Sequence, residues 1–320
     1  MKSAKIGNMR NIVFTLTPNP ALDLNGVVDN IKPNEKSYVH DEVWSPGGNG
    51  INVAKILTRL DIPVLASGFL GGSVGEEIKA LLKKEGVVNK FIKTVGHSRI
   101  SLTVSNRRDH RQMRLCFAGP HISGREKSQL FDLLEKEQRI SILVIGGSLP
   151  RGFAPADIIR ILRLAKKRKI DSVVDCPGAI MRELVLENPF FIKPNLDEFR
   201  ELTQSKVETL SAVHKEAQKL LGRVPYICVS SVEGGALLVT REGTYFGRTP
   251  KVKVRSSVGA GDSMVGAMVA QLFKKNSSGE DLLRWGLAAS AATLTQSGTA
   301  MGSASDILNL YEVTKVRRFY

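Results

Sequence analysis

Asp262 is the residue around which chemistry can be built. It stands in the run Ser256-Ser257-Val258-Gly259-Ala260-Gly261-Asp262-Ser263-Met264, with Val252-Lys253-Val254 before it and an apolar stretch, 264–272, after it. The flanks predict the end of a short strand and the start of a helix. Small residues at such a join leave the first backbone N–H groups of the helix open. Their unpaired donors and the positive end of the helix dipole make an anion site. A carboxylate there repels a bound phosphate, but it has a purpose if it takes a proton while the neighbouring amides stabilise a transferring phosphoryl group. Two readings stand on this stretch alone: a general base for phosphoryl transfer, or a first-turn carboxylate that favours the dipole.

Other polar and glycine-rich clusters follow the strand-like runs, at 17–23, 46–52, 146–150, 193–198, 230–235 and 257–262. In a parallel sheet these ends line one edge, so six clusters distant in sequence converge on one crevice. The acidic residues reaching it are Asp23, Asp175, Asp197, Glu198 and Asp262. Asp23 follows the helix-stopping Thr17-Pro18-Asn19-Pro20 at a strand end. Asn52 sits on the first helical turn after Pro46-Gly47-Gly48-Asn49-Gly50-Ile51, with a donor and an acceptor suited to sugar hydroxyls. Asn195 and Glu198, three apart at a helix start, suit a hydrated Mg²⁺ or, equally, a capping box. The chain has no GxxxxGK[ST]. A dinucleotide-dependent oxidoreductase is disfavoured because Val53 stands where the Gly48-x-Gly50 fingerprint needs glycine or alanine, with no acidic residue about 20 positions on.

The elements that must position these residues alternate strand and helix, which predicts an α/β fold with a mostly parallel sheet covered on both faces. Strands are expected at Ile12 to Leu16, Ile62 to Ala66, Ser141 to Ile145, Ser172 to Asp175, Phe190 to Ile192 and Tyr226 to Val229. Helices are expected from Glu76 to Lys84 and over 155–168. Two β-like segments, about 25–44 and 97–118, read as inserts in a single domain whose core spans about 11–24, 45–96 and 119–313. A net charge of +15 fits a solvated basic surface, or an anionic substrate or nucleic acid. Aromatics are only 6% and do not interleave with the basic groups at 99–114 and 160–169, so a small phosphorylated ligand fits better than nucleic acid. No apolar run is long enough to span a bilayer. Met1 to Arg10 leads into no signal-type apolar core, and three scattered cysteines suit the cytoplasm.

The glycine run 46–54 near the start and Val258-Gly259-Ala260-Gly261-Asp262-Ser263 near the end resemble the PfkB family of carbohydrate kinases, the ribokinase-like superfamily. Gly146-Gly147-Ser148-Leu149-Pro150 and Lys193-Pro194-Asn195-x-x-Glu198 are intermediate marks, and the similarity runs from about Ile12 to Thr299. The opening Thr15-Leu16-Thr17-Pro18-Asn19-Pro20-Ala21-Leu22-Asp23 is similar to the branch that phosphorylates sugar phosphates. That branch holds the minor 6-phosphofructokinases, the 1-phosphofructokinases and the tagatose-6-phosphate kinases, and the run 259–268 looks nearest to the first of these.

The resemblance implies a three-layer α/β/α sandwich with a small β-sheet lid, often the seat of a homodimer, and an ATP- and Mg²⁺-dependent enzyme. The reaction it implies first is fructose 6-phosphate to fructose 1,6-bisphosphate. It implies Asp262 as base, with the amides of Gly259, Ala260 and Gly261 holding the transferring group. Asp23, Gly48, Asn49 and Asn52 would hold the sugar, Arg99 and Arg114 its phosphate, with Ser148 also at a sugar-site position. Lys193, Asn195, Ser230 and the turn through Gly235 would hold ATP, with Glu198 ordering Mg²⁺ through water. Lys36 matches a lysine that reaches ATP from the neighbouring subunit, and Ser256 and Val258 match a K⁺ loop. Two departures stand out: Val232 where the family usually has glycine, and Asn49 where a smaller residue is usual.

Overall fold

The computed structural model describes residues 11–32, 34–109, 111–275 and 277–320. The basic segment 1–10 lies outside them. In chain order the first elements are β1 (Ile12–Thr17), β2 (Ala21–Val28), β3 (His40–Gly47), α1 (Asn49–Arg59), β4 (Val64–Leu70), α2 (Gly72–Lys84), β5 (Ile92–Lys93), β6 (Arg99–Asn106) and β7 (Gln112–Cys116). Then come α3 (Gly124–Lys136), β8 (Ile140–Gly146), α4 (Pro155–Lys167), β9 (Asp171–Asp175), α5 (Gly178–Leu184), β10 (Phe191–Ile192), α6 (Leu196–Thr203) and α7 (Leu210–Leu220). The last are β11 (Tyr226–Val232), β12 (Gly235–Thr240), β13 (Thr244–Arg248), α8 (Ala260–Lys274), α9 (Gly279–Leu294), α10 (Ala304–Val313) and β14 (Val316–Arg318).

The main sheet has the order β14-β13-β12-β11-β10-β9-β8-β1-β4-β5. It is parallel from β5 to β11 and antiparallel from β11 to β14. Strands buried on both faces divide their residues with period two. Ile12, Phe14 and Leu16 of β1 join Leu143, Ile145, Ile227 and Val229 in one core, with side chains of α3, α4, α6 and α7. Val13, Ile142, Val144 and Cys228 face the other core, with α1, α2, α8 and α9. These are the two outer helical layers of an α/β/α sandwich. The chain leaves β1 toward β4 on one side and returns at β8 on the other. The strand order reverses there, which in open α/β sheets opens a crevice at the carboxyl ends.

A second sheet, β3-β2-β6-β7, stands apart from the first. It begins at Ala21 and its second strand runs to Gly47, so it takes in more chain than the inserts expected at 25–44 and 97–118. Asp23 is therefore on a strand of this lid and not in a loop after β1. The reason is local: Pro18 and Pro20 end β1, and Ala21-Leu22 pairs at once with Arg99-Ile100 of β6. The strand after α1 also lies later than expected. It starts at Val64 and carries through Gly68 to Leu70, and α2 begins at Gly72, four residues before Glu76.

Candidate active site

Asp262 lies in the first turn of α8, behind Gly259. Gly259 takes φ +76°, a left-handed conformation costly for residues with a Cβ, and a Cβ there would also collide with the Met301 methyl. No strand precedes this turn: Val252-Lys253-Val254 is irregular, and Val254 is exposed because no sheet face receives it. The segment is held instead by the Arg255 amide, which donates to the Leu294 carbonyl at 2.8 Å. Asp262 itself is buried, and its Oδ2 accepts from Asn52 Nδ2 at 2.7 Å. Burial first, then the nearby Asp175 carboxylate, pushes its pKa up from the ordinary 3.8 to about 6, against the pull of Asn52 and Lys193. A carboxylate poised there is ionised at neutral pH yet basic enough to accept a proton.

Lys193, beyond the end of β10, is buried with its Nζ 3.4 Å from Asp175 Oδ1. Burial alone would depress it, but Asp175, Glu198 and more weakly Asp262 outweigh that and hold the ammonium above its ordinary value. The amine also lies 3.3 Å from where a Gly261 Cβ would stand, so a permanent positive charge underlies the first turn of α8. Asn49 Nδ2 donates to Asp175 Oδ2 at 3.2 Å, which ties α1 to the same group. Asn195 and Glu198 form a full capping box: Asn195 Oδ1 accepts from the Glu198 amide at 2.9 Å, and Glu198 Oε2 accepts from the Asn195 amide at 2.8 Å. Burial raises the Glu198 pKa, and the Asn195 amide and Lys193 oppose it.

Asp23 shares the polar face of the lid with Asn25, Ser45, Ser101, Thr103 and Arg114, as pairing and period-two alternation require. Burial raises its pKa to about 6, opposed by Lys55, Arg99 and Arg114. Arg99 donates from Nε to the Asn19 carbonyl at 3.1 Å, and Asn19 Nδ2 reaches Ser148 Oγ at 3.5 Å. Gly48 caps α1 at φ +117°, where a Cβ would press on the Thr17 methyl. Three buried polar atoms of this region have no hydrogen-bond partner among the described residues: Thr17 Oγ1, Asn19 Oδ1 and Asn52 Oδ1. Buried polar groups left unmet are costly, which marks this region as one whose packing is not set for stability alone.

Ser230 and Gly235 flank the hairpin between β11 and β12. The Ser230 amide donates to the Pro194 carbonyl at 3.0 Å, which sets this hairpin beside Lys193 and Asn195. Val232 is fully buried in β11, and the ladder shifts register between Ser230 and Val232. Ser231 and Glu233, on either side of Val232, take positive φ of +61° and +46°, ahead of Gly234 at +76°. Ser256 Oγ accepts from the Val258 amide at 3.2 Å. Lys36 is exposed in the connection between β2 and β3. Thr17 and Asn19 border the candidate site and Lys55 is near enough to pull on Asp23, yet none of the three was singled out from the sequence. Lys55 carries a signal, lying three and four residues after Asn52 and Ile51 on a buried helix face, and it pairs with Glu85 at 3.0 Å.

A profile of pfkB family carbohydrate kinases matches residues 11–306. The chain is 35% identical over 303 residues to the ATP-dependent 6-phosphofructokinase isozyme 2 of Escherichia coli, covering 93% of this chain and 97% of that one. It is 29% identical over 311 residues to the 1-phosphofructokinase of Bacillus subtilis, covering 96% and 100%. The crystal structure of E. coli phosphofructokinase-2 in complex with substrates and products superposes with a TM-score of 0.89 at 33% identity, over 94% of this chain and 99% of the other.

Proposed function

We propose that this chain, which belongs to the pfkB family of carbohydrate kinases and is a sugar-phosphate kinase, converts fructose 6-phosphate and ATP to fructose 1,6-bisphosphate and ADP. The observation that carries the reading is the buried Asp262 at the left-handed start of α8, raised to about 6 and lying between Asn52 and Lys193. Asn52 occupies Oδ2 and leaves Oδ1 for the proton of a sugar hydroxyl. As that proton passes to Asp262, the sugar oxygen bonds to the terminal phosphorus of ATP, the bridging P–O bond breaks and ADP leaves. Amides of Gly259, Ala260 and Gly261 donate to the transferring oxygens, and Lys193 offsets their charge.

Asp23, Gly48, Asn49 and Asn52 orient the sugar, with Ser148 at the rim. Arg99 and Arg114, both close enough to Asp23 to pull on its titration, take the phosphate already on the substrate. Asn195, Ser230 and Gly235 border the nucleotide. Glu198 suits a hydrated hard cation: it spends Oε2 on the Asn195 amide, and Oε1 would hold Mg²⁺ through water. Bound there, the ion would neutralise charge on the nucleotide phosphates. Ser256 and Val258 would hold K⁺, and we assign the protein to the cytoplasm. Trp44, Met113 and Leu115 lie on the opposite, outer lid face at 50%, 44% and 49% exposure, an apolar stripe suited to a second lid. The homodimer this makes would bring Lys36 to the partner's nucleotide.

The runner-up substrates are fructose 1-phosphate and tagatose 6-phosphate, because the arginine pair suits any of these phosphates and relatives carry both kinds of name. ADP release coupled to NADH oxidation, across the three sugar phosphates and unphosphorylated fructose, tests the proposal. Highest kcat/KM with fructose 6-phosphate supports it, and a preference for another sugar replaces it. Failure with all four removes the sugar-phosphate reading.

A further inference from the structure

The loop between α9 and α10, residues 295–303, is in neither sheet and in none of the six crevice clusters. One end of it grips the lid. The Thr299 side chain, buried at 3% exposure, hydrogen-bonds to Ser45 Oγ of β3 and accepts from Asn25 Nδ2 of β2 at 3.3 Å. Ser45 is the register partner of Asp23, and Asn25 lies two residues along the same polar face. The other end grips the catalytic helix. Met301 covers Gly259 so closely that no Cβ fits there, and its Sδ accepts from Ser263 Oγ at 3.4 Å. Thr293 Oγ1 bonds Ser263 Oγ at 2.6 Å and accepts from the Gly302 amide at 3.0 Å. Arg59 at the end of α1 fixes the backbone behind, donating from Nη1 to the Met301 and Gly302 carbonyls at 2.5 and 2.8 Å.

Only Ala300 separates the residue held by the lid from the residue covering the start of α8. We infer that Thr299 is a positioning residue: its hydroxyl couples the sugar-reading face of the lid to the anion-binding turn at Gly259–Asp262. The β-branched side chain suits this, because its χ1 is stiff and the hydroxyl keeps one direction. A sugar held against Asp23 steadies Ser45 and Asn25. They steady Thr299, and Met301 then keeps Gly259 in its left-handed turn. Without the hydroxyl the lid still binds sugar, but the amides are less well aimed when charge moves. Such a loss lowers kcat more than it raises KM.

The kinetic part of the test rests on the proposed function; the exchange part does not. Amide exchange of the ligand-free protein is compared in wild type, Ser45→Ala, Thr299→Val and Thr299→Ser. Ser45→Ala changes only the lid, yet it should speed exchange at Ala260 and Ser263 by about threefold to tenfold, the loss of one ordinary hydrogen bond. Thr299→Val should match it, the double variant should add nothing further, and Thr299→Ser should restore protection. With fructose 6-phosphate and MgATP, Thr299→Val should lower kcat about tenfold with KM within about twofold. Unchanged exchange at Ala260 and Ser263 in Ser45→Ala overturns the coupling, as does a Thr299→Val effect confined to KM. If Thr299→Val does not fold, Ser45→Ala and Thr299→Ser decide it. If wild type turns over no sugar phosphate, the proposed function falls and exchange alone judges the coupling.

Discussion

Replacing Asp262 with asparagine should stabilise the protein while abolishing most of its turnover, and the gain in stability should depend on pH in a way fixed by the site. In the folded chain the carboxyl holds its proton up to about 6, against an ordinary 3.8. Between those values the folded state binds a proton that the unfolded state has released, so stability falls as pH rises through the window and levels off above it. About two pKa units at 1.36 kcal/mol each make the cost at pH 8 about 3 kcal/mol, shrinking to about 1 kcal/mol at pH 4.5. Asparagine matches the shape, can still accept from Asn52 through Oδ1, and carries no charge to desolvate. Urea unfolding at pH 8 should show the midpoint of Asp262→Asn shifted upward at constant slope, and the advantage should shrink by pH 4.5. Turnover should fall by about 10²- to 10⁴-fold, the usual worth of a general base. An asparagine variant no more stable than wild type at pH 8, or with a gain independent of pH, would refute the burial argument. Wild-type turnover would remove Asp262 as base.

Other substitutions separate the parts of the site. Arg99→Ala should raise KM for the phosphorylated sugar about tenfold or more and leave unphosphorylated fructose unaffected; an equal effect on both contradicts its role. Lys193→Met keeps the length of the buried side chain but removes the cation beside Asp175 and the first turn of α8, so kcat should drop about 10²-fold or more in ADP-release assays. The pH profile of kcat/KM should have its acid limb near 6, set by Asp23 and Asp262 together, and a limb near 4 would contradict both shifts. Leu115→Asp should place a charge in the apolar lid stripe and yield monomers in sedimentation velocity, whereas an unchanged dimer would put the interface elsewhere.

The parts of the fold legible in the sequence were those where one local rule sufficed. The apolar runs of β1, β8 and β9 had to be buried strands, and the glycines before α1 and α8 had to be helix starts facing an open edge. The lid boundary was not legible, because Ala21-Leu22 reads as the tail of a proline loop until β6 supplies its pairing partner. Val252-Lys253-Val254 failed for the opposite reason: its residues favour a strand, but no neighbour offers a ladder and the Leu294 carbonyl takes the Arg255 donor. The antiparallel edge, β12 to β14, touches the clusters only through Gly235 at its start, so the motifs left no mark of the strands themselves. At the site, Asp262 stood out by type and position, and Lys193 through the resemblance. Thr17 and Asn19 did not, since their importance lies in buried atoms left without partners, which only the packed chain shows.

Asp23 belongs to one sheet and Asp262 to a helix laid on the other. In the proposed function recognition and transfer thus sit on separate pieces of architecture, joined by the 295–303 loop as well as by the substrate that bridges them. A change on the polar lid face, at Ser101, Thr103 or Arg114, would act first on which phosphate and which ring are accepted, and would reach the first turn of α8 only through Ser45, Asn25 and Thr299. Such a layout would let substrate preference be altered from the lid while Asp262 and the amides before it are kept.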